Sequence, residues 1–523
     1  MSPAKAPAAK ATDKKYKFPH DTRKYQSFIA GKWCDSSSGE VSENRNPANV
    51  SDLIGTFPRS TKEDVDRAVK SAKKAFQWWR LVPPPQRAKM FYRLVDIMQK
   101  RKEEHAFQMT REMGKPIFET RGDVQEGIDT AMYACGEGYR LFGKTVPSEL
   151  PSKFNMTIRY PIGVCGLVTP WNFPMAIPTW KIFPALMCGN TVVIKPAEIT
   201  PLSVWNLVNA ILEAGFPPEV INVVFGSGSK VGNAIVQHPD TAVISFTGSN
   251  AVGRKIAEMA APKLKRLAME LGGKNCTLIC NDANLDLAVD ACIWGGFGTT
   301  GQRCTASSRV IVEEGVHDEF VDLFIKAAKK LKVGYGNDDG ITMGPAVSEE
   351  QMKTDLEYIE IGKKDGVTLA LGGKRLSGPE HKDGWFVQPT IFTGCKRNMR
   401  TSQEEIFGPV VSVIKVKNYD EAIEVANDIE FGLSSAVFTQ DVNKAYRAFR
   451  DLDTGLTYIN AATIGAEAHM PFGGMKGTGN GHREGGWGAY EFYSETKACY
   501  VDWSGTLQRA QIDDPKALLK KQK

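Results

Sequence analysis

The sequence has no hydrophobic run that approaches the roughly 18 residues needed for a membrane-spanning helix. Its first stretch is rich in alanine, lysine and proline and lacks the apolar segment of a secretory signal. Residues 1–18 are therefore predicted to form a disordered tail. A mitochondrial presequence is the rival interpretation, which the absence of arginine and the single serine disfavour. We expect no association with a membrane.

The chain is also poor in patterns that build metal sites. It contains 7 histidines without an HExxH pattern, and its 10 cysteines form no CxxC pair. Cys276 and Cys280 have neither a second cysteine pair nor a nearby histidine. We therefore predict no bound metal and reduced thiols, which indicate a cytoplasmic protein.

Charge of one sign is not in large excess. Lysine and arginine number 66 against 60 aspartate and glutamate residues, giving a net charge of +6, and the two signs are interleaved along the chain. This balance gives no indication of nucleic-acid binding. With 523 residues, of which 42% are hydrophobic, the chain is long enough for two or three domains with their own cores.

Short apolar runs rich in β-branched residues alternate with helical segments after residue 162. They are Val164–Val168, Thr191–Ile194, Val220–Phe225 and Ala242–Phe246. This alternation predicts an α/β fold with a doubly wound parallel sheet, which binds nucleotides at the carboxyl ends of its strands. Before this region, Thr61 with Asp64 predicts a helix start. Val124, Ile128, Ala131 and Met132 have helical spacing and are expected to be a packing face.

Cys304 is the candidate nucleophile. A cysteine is more often inert core than a nucleophile, but this one follows a glycine-rich run, Gly295 to Gly301, that lets the backbone approach a ligand. The adjacent Arg303 and nearby backbone N–H groups are expected to favour the reactive thiolate. Glu270 supplies a carboxylate that can activate water.

Seven motifs occur in order along the chain. They are Pro170-Trp171-Asn172-Phe173-Pro174, Lys195-Pro196-Ala197-Glu198, Phe246-Thr247-Gly248-Ser249, Glu270-Leu271-Gly272-Gly273, Gly301-Gln302-Arg303-Cys304, Glu405-Ile406-Phe407-Gly408-Pro409 and Pro471-Phe472-Gly473-Gly474. Over roughly residues 20 to 510 the chain resembles the aldehyde dehydrogenase superfamily. The resemblance implies NAD-dependent oxidation of an aldehyde to a carboxylic acid.

The resemblance also implies three catalytic residues. Cys304 would attack the aldehyde and carry a thiohemiacetal and then a thioester. The Asn172 amide and the Cys304 N–H would form the oxyanion hole. Glu270 would activate the hydrolytic water, and its presence argues against the CoA-acylating branch, whose members typically lack that carboxylate.

The expected domains follow the family pattern. Residues 19–142 and 162–273 would form the dinucleotide-binding domain, and 274–485 a second α/β catalytic domain. Residues 143–161 and 486–510 would form a small β element that pairs subunits into a homodimer or homotetramer, and 511–523 a C-terminal tail.

Two glycine-rich stretches compete for the pyrophosphate of the cofactor. Gly226–Gly232 follows a strand, but its last glycine comes one place too late for the dinucleotide fingerprint. The stretch from Gly248 to Gly253, with Ser249, opens a helix whose N-terminus suits an anion, so we prefer it.

Other cofactor contacts are implied by the resemblance. Lys195 and Glu198 would hold the adenosine ribose, and the Glu198 carboxylate would repel a 2′-phosphate, which favours NAD over NADP. The contacts implied near the nicotinamide end are Trp171, Leu271, Gly272, Glu405 and Phe407.

The substrate is less constrained by the motifs. Phe173, Trp180 and Phe472 match family positions that line the aldehyde tunnel. The stretch Gly465-Ala466-Glu467 resembles the Gly-Ala-Glu stretch of the family branch that oxidises amino-bearing semialdehydes. Glu467 could then pair with the ammonium group of the substrate. The alternative is that Glu467 is a solvated carboxylate of the loop. The alternative functions are a semialdehyde dehydrogenase for an amino- or carboxylate-bearing aldehyde and, from another class, a non-catalytic structural or binding relative.

Overall fold

A computed structural model describes residues 22–508. The predicted tails, 1–18 and 511–523, lie outside the described residues. The strands are β1 (Arg23–Lys24), β2 (Ser27–Ile29), β3 (Lys32–Cys34), β4 (Val41–Asn46), β5 (Asn49–Pro58), β6 (Thr145–Val146), β7 (Lys153–Pro161), β8 (Val164–Val168), β9 (Thr191–Lys195), β10 (Ile221–Val223), β11 (Thr241–Thr247), β12 (Arg266–Glu270), β13 (Asn275–Ile279), β14 (Ser307–Glu313), β15 (Thr368–Leu371), β16 (Thr390–Thr393), β17 (Val410–Val416), β18 (Phe431–Gly432), β19 (Ser434–Phe438), β20 (Leu456–Ile459), β21 (Met475–Lys476) and β22 (Ser494–Asp502).

The helices alternate with these strands. They are α1 (Lys62–Trp79), α2 (Pro84–Met113), α3 (Ile117–Glu137), α4 (Ala176–Met187), α5 (Leu202–Glu213), α6 (Asn233–Gln237), α7 (Asn250–Ala260), α8 (Leu285–Phe297), α9 (His317–Ala328), α10 (Glu349–Lys364), α11 (Arg400–Gln403), α12 (Tyr419–Asn427), α13 (Val442–Asp451) and α14 (Gly486–Phe492). None of the helices between residues 22 and 508 is long and apolar enough to cross a membrane.

The first large sheet has the order β12-β11-β8-β9-β10-β2-β3, and its first five strands are parallel. Alternate residues of β8 belong to different cores: Cys165 and Leu167 pack with one cluster, and Val164 and Val168 with another. Both faces are therefore covered, which is why the strand sequences are continuously apolar. The predicted doubly wound sheet is confirmed.

A second seven-stranded sheet has the order β15-β16-β17-β14-β13-β19-β20. All its pairings are parallel except that of β15 with β16. Ile311 packs into one core, whereas Val310 and Val312 pack into the other. This sheet too is covered on both faces, and the predicted second α/β unit is confirmed.

The helix predictions hold with one correction. Thr61 caps α1 by accepting from the Glu63 N–H, and the Asp64 carboxylate accepts from the Thr61 N–H at 2.9 Å. In α3 the expected packing residues Val124, Ile128 and Ala131 are buried, but Met132 is 53% exposed. Met132 was wrongly assigned to the core because the other face of α3 borders a cavity.

A third sheet lies apart from these layers, with the order β22-β7-β6. β22 pairs antiparallel with β7 along nine residues, from Ser494 with Pro161 to Asp502 with Lys153. Most of β22 is exposed, and its second edge has no partner strand within residues 22–508.

Candidate functional site

Cys304 lies on a tight loop between α8 and β14. Thr299, Thr300 and Gly301 have φ values of 52°, 60° and 70°, a left-handed run that costs energy for the two threonines. A Cβ on Gly301 would lie 2.1 Å from the Gly408 carbonyl oxygen, so only glycine permits this approach to the 405–409 loop. The carbonyl of Cys304 accepts from the Asn275 amide at 2.7 Å. The loop that carries Cys304 is therefore held close to the 405–409 loop.

The electrostatics of the thiol differ from the sequence-based expectation. Burial and, after it, the Glu270 and Glu405 carboxylates raise the pKa of Cys304 to about 12. The Arg303 guanidinium was expected to favour the thiolate, but it donates to Glu119 at 2.7 Å instead. It also lies 4.7 Å from the centre of the Trp294 ring. The expectation was wrong for Arg303, which is engaged elsewhere, but the backbone N–H groups of Thr305 and Cys304 do lower the pKa of the thiol, as expected.

Asn172 is buried beside this loop, after the end of β8. Its amide nitrogen donates to the Gln302 carbonyl at 3.1 Å. An amide carries two N–H groups, and no hydrogen bond of the second one is found within residues 22–508. Asn172 and Cys304 line the same cavity.

Glu270 is the last residue of β12 and is buried. Its backbone carbonyl accepts from the Gly248 N–H at 3.1 Å. Burial raises the pKa of Glu270 well above the usual carboxyl value, and the nearby Glu484 carboxylate makes the second-largest contribution. Within residues 22–508, its Oε2 has no hydrogen-bond partner. A buried carboxyl oxygen without a donor is costly, and it leaves an acceptor that a water molecule can use.

The sequence analysis missed a network of buried charged residues near Glu270. The Lys181 ammonium donates to Glu484 at 2.6 Å and to the Ser245 hydroxyl at 2.7 Å. Lys181 opposes the rise in the pKa of Glu270, whereas Glu484 contributes to it. No local spacing indicates this network because Lys181 and Glu484 are 303 positions apart.

A cavity of about 230 Å³ opens on one side of Cys304. Its lining includes Trp171, Asn172, Gly248, Ser249, Leu271, Gly272, Gln351, Glu405 and Phe407. A Cβ on Gly272 would lie 2.3 Å from Glu405 Oε2, and the Gly273 N–H donates to Glu405 Oε1 at 2.8 Å. Burial raises the pKa of Glu405 to about 7. Gln351 was not among the predicted contacts, since it follows an unremarkable helix cap at Ser348.

The two glycine-rich stretches differ in position. Gly248 and Ser249 line the small cavity and precede the N-terminus of α7. Gly253 lies one turn into α7, where an added Cβ would lie 2.5 Å from Leu271. The competing stretch, Gly226 to Gly232, lines neither cavity that contains Cys304.

Lys195 is the last residue of β9 and Glu198 follows three residues later, but neither lines the small cavity. Burial lowers the pKa of Lys195 to about 8, and Glu198 opposes that shift. Glu198 also lies 3.7 Å from the Arg59 guanidinium. The Glu198–Arg59 pair is partly exposed, whereas Lys195 is buried.

A larger cavity, of about 780 Å³, opens on the other side of Cys304. Phe173, Trp180, Phe472 and Glu467 all line it, and the rings of Trp180 and Phe472 are 4.9 Å apart. Glu467 is 68% exposed and lies 3.2 Å from the His469 ring nitrogen. The cavities share Cys304 and Ile177. The thiol therefore stands where two binding spaces meet.

No cluster of His, Cys, Asp and Glu within residues 22–508 could hold a metal ion. All ten cysteines fall in this range, and none forms a disulfide.

Comparison with known proteins agrees with this geometry. Residues 33–499 match the model of the aldehyde dehydrogenase family. The chain is 42% identical over 477 residues to the alpha-ketoglutaric semialdehyde dehydrogenase of Bacillus subtilis, covering 91% of this chain and 98% of that protein. It is also 42% identical over 479 residues to human aldehyde dehydrogenase 1A1, covering 91% and 94% of the two chains.

A solved structure of betaine aldehyde dehydrogenase from Staphylococcus aureus in complex with NAD+ is similar throughout. The sequence identity is 36%, the TM-score is 0.90, and the match covers 92% of this chain and 95% of the other. Because the family model and the relatives each span nearly the whole chain, and because the fold agrees with that of a solved member, the protein belongs to the aldehyde dehydrogenase family.

Proposed function

We propose that this protein oxidises an aldehyde to a carboxylic acid with NAD as the hydride acceptor. The observation that carries the proposal is the position of Cys304 at the junction of two cavities. An aldehyde in the larger cavity and a nicotinamide in the smaller one would both reach the thiol. This arrangement provides the proximity that a two-substrate reaction needs.

The residues around the small cavity fit NAD. Gly248 and Ser249, at the N-terminus of α7, and Gly253 within it suit a pyrophosphate. Lys195 and Glu198 would bind the adenosine ribose. The nicotinamide end would lie among Trp171, Leu271, Gly272, Glu405 and Phe407. Glu405 approaches Gly272 too closely for a Cβ at that position, so both residues lie together in the wall of this cavity, which supports the fit. When bound, NAD supplies the hydride acceptor that converts a thiohemiacetal into a thioester.

Three side chains of the protein perform the remaining steps. Cys304 Sγ passes its proton to solvent and forms a bond to the aldehyde carbon, whose C=O electron pair moves onto oxygen and gives the thiohemiacetal as its oxyanion. The free N–H of the Asn172 amide and the backbone N–H of Cys304 stabilise the charge on oxygen. After hydride loss, Glu270 takes a proton from a water molecule, whose oxygen attacks the thioester carbon. The carboxylate leaves and Cys304 Sγ is released.

Phe173, Trp180 and Phe472 would form the aromatic wall of the aldehyde tunnel, and Glu467 would lie at its rim. The names of the relatives give different aldehydes as their substrates. Oxidation of an amino- or carboxylate-bearing semialdehyde is therefore proposed as a more specific alternative to general aldehyde oxidation.

The test is NADH formation, followed by near-ultraviolet absorbance, with aliphatic, aromatic and amino-bearing aldehydes. Turnover with NAD and any of these aldehydes supports the proposal. Hydrolysis of an ester without any aldehyde oxidation would contradict it, because the same thiol would then serve an esterase.

We also propose the domain and subunit organisation. The two large sheets support a cofactor domain over 19–142 and 162–273 and a catalytic domain over 274–485. The exposed β22 in the third sheet supports 143–161 and 486–510 as the element that pairs copies into a homodimer or homotetramer. Light scattering of the purified protein tests the assembly. Ten free thiols support the cytoplasm as its compartment.

A further inference from the structure

One face of α3 lines the larger cavity beside Cys304. Glu119, Asp123, Glu126 and Asp129 recur every three or four residues, so their side chains share one face of the helix. The opposite face packs into the core through Val124, Ile128 and Ala131. The helix therefore places four carboxylates along one wall of the cavity.

The first two carboxylates are fully engaged by the protein. Glu119 accepts from Arg303 at 2.7 Å and from the Thr299 N–H at 2.9 Å. Asp123 accepts from the Lys115 ammonium at 2.6 Å and from the Ala176 N–H at 2.7 Å. Neither has a charge left to offer a ligand.

Glu126 is different from these two. Within residues 22–508, its carboxylate makes no hydrogen bond and no ion pair, although it lies in the cavity wall. Burial and, after it, the Asp123 carboxylate raise the pKa of Glu126 to about 8, whereas Lys115 and Arg303 oppose the shift. Both cations are already bound to other carboxylates. Glu126 is thus a half-buried acid whose carboxylate has no partner among the described residues.

The lining of the larger cavity as a whole carries an excess of negative charge. Its lining carries five carboxylates and two guanidinium groups. The carboxylates are Glu119, Asp123, Glu126, Asp129 and Glu467. Of the two cations, Arg303 is held by Glu119, and Arg140 pairs with Glu137 at 2.8 Å. Glu126 and Glu467 both raise the pKa of Tyr458, after burial, so both carboxylates act on one tyrosine.

We propose that Glu126 binds the ammonium group of an amine-bearing aldehyde and makes such aldehydes the preferred substrates of this enzyme. The inference rests on the proposed aldehyde oxidation and adds the substrate class. A cation next to Glu126 favours its ionised form and supplies the missing donor. A carboxylate-bearing aldehyde meets repulsion from the same wall.

The experiment compares three aldehydes of equal chain length: an ω-aminoaldehyde, the unsubstituted n-alkanal and the ω-carboxyaldehyde. kcat/KM is measured for each with NAD in the unsubstituted protein, in Glu126→Gln and in Glu467→Gln. Glu314→Gln, at an exposed turn after β14, is the matched control. Glutamine keeps the size of the side chain and removes its charge.

The unsubstituted enzyme should prefer the aminoaldehyde. Glu126→Gln should lower kcat/KM for this substrate by about 10- to 100-fold, the range for a lost charge-assisted hydrogen bond. The n-alkanal should change little and the carboxyaldehyde should improve. An equal loss with aminoaldehyde and alkanal, or a selective loss in Glu467→Gln alone, overturns the assignment to Glu126.

A second measurement needs no variant. An n-alkylammonium ion should inhibit n-alkanal oxidation more strongly than the corresponding alkanoate, and the opposite order overturns the proposal. If the unsubstituted protein oxidises none of the three aldehydes, the proposed function itself fails. Turnover of the alkanal and carboxyaldehyde without the aminoaldehyde refutes only the substrate class.

Discussion

Replacing Glu270 with glutamine should separate the two halves of the proposed reaction. Glu270 Oε2 is buried without a donor from residues 22–508, so it is placed to accept the proton of the hydrolytic water rather than to stabilise the fold. Glutamine fills the same space but cannot take that proton. Acylation and the first hydride transfer should therefore continue, whereas hydrolysis of the thioester should slow.

The expected loss in steady turnover is about 10²- to 10⁴-fold, the usual contribution of a general base. This corresponds to about 3 to 5 kcal/mol in the barrier. Stopped-flow absorbance should show a burst of NADH close to the concentration of active sites, followed by slow turnover. Glu314→Gln, an exposed substitution, should behave as the unsubstituted protein.

Stability gives an independent readout for the same variant. The pKa of Glu270 is raised in the folded protein, so the folded state loses stability as pH rises above the unfolded value of a carboxyl group. Glu270→Gln removes that dependence. The free energy of unfolding of the variant should therefore fall less than that of the unsubstituted protein as pH rises. Unchanged steady turnover in Glu270→Gln would refute its role as the base.

Three further substitutions test other parts of the structure. Cys304→Ser should abolish aldehyde oxidation while calorimetry shows nearly unchanged NAD affinity; loss of affinity would mean that the thiol was assigned to the wrong role. Glu198→Thr should raise kcat/KM for NADP, because it removes repulsion of a 2′-phosphate and frees Arg59, now 3.7 Å away, to bind it; no change would remove the basis for NAD preference. Lys115→Met should lower the free energy of unfolding by about 3 to 5 kcal/mol in denaturant titration, because Asp123 loses its buried ion-pair partner, and an unchanged free energy would show that this ion pair does not stabilise the fold.

The sheets could be predicted because their sequences report burial directly. A strand covered on both faces is apolar throughout, and β8 coincides with the predicted run Val164–Val168. The N-cap at Thr61 could also be predicted, because it depends only on neighbouring residues in the sequence.

Contacts across the chain could not be predicted in this way. The ion pair of Lys181 with Glu484 joins two distant segments, and neither residue stands in a motif that the sequence analysis used. The packing assignment of α3 was incomplete for a related reason. Helical spacing reveals an apolar face, but it does not tell whether the polar face meets solvent or a cavity.

α3 connects the two departures from the sequence-based expectation. Through Glu119 it binds Arg303, which leaves the neighbouring Cys304 thiol under the influence of burial and of carboxylates. Through Glu126 the same helix makes the wall of the larger cavity acidic. A thiol with a raised pKa reacts slowly until its proton is removed, whereas an acidic wall attracts cations. Both properties follow from how the carboxylates of one helix are paired, so substitutions on α3 should alter substrate choice without any change to the catalytic motifs.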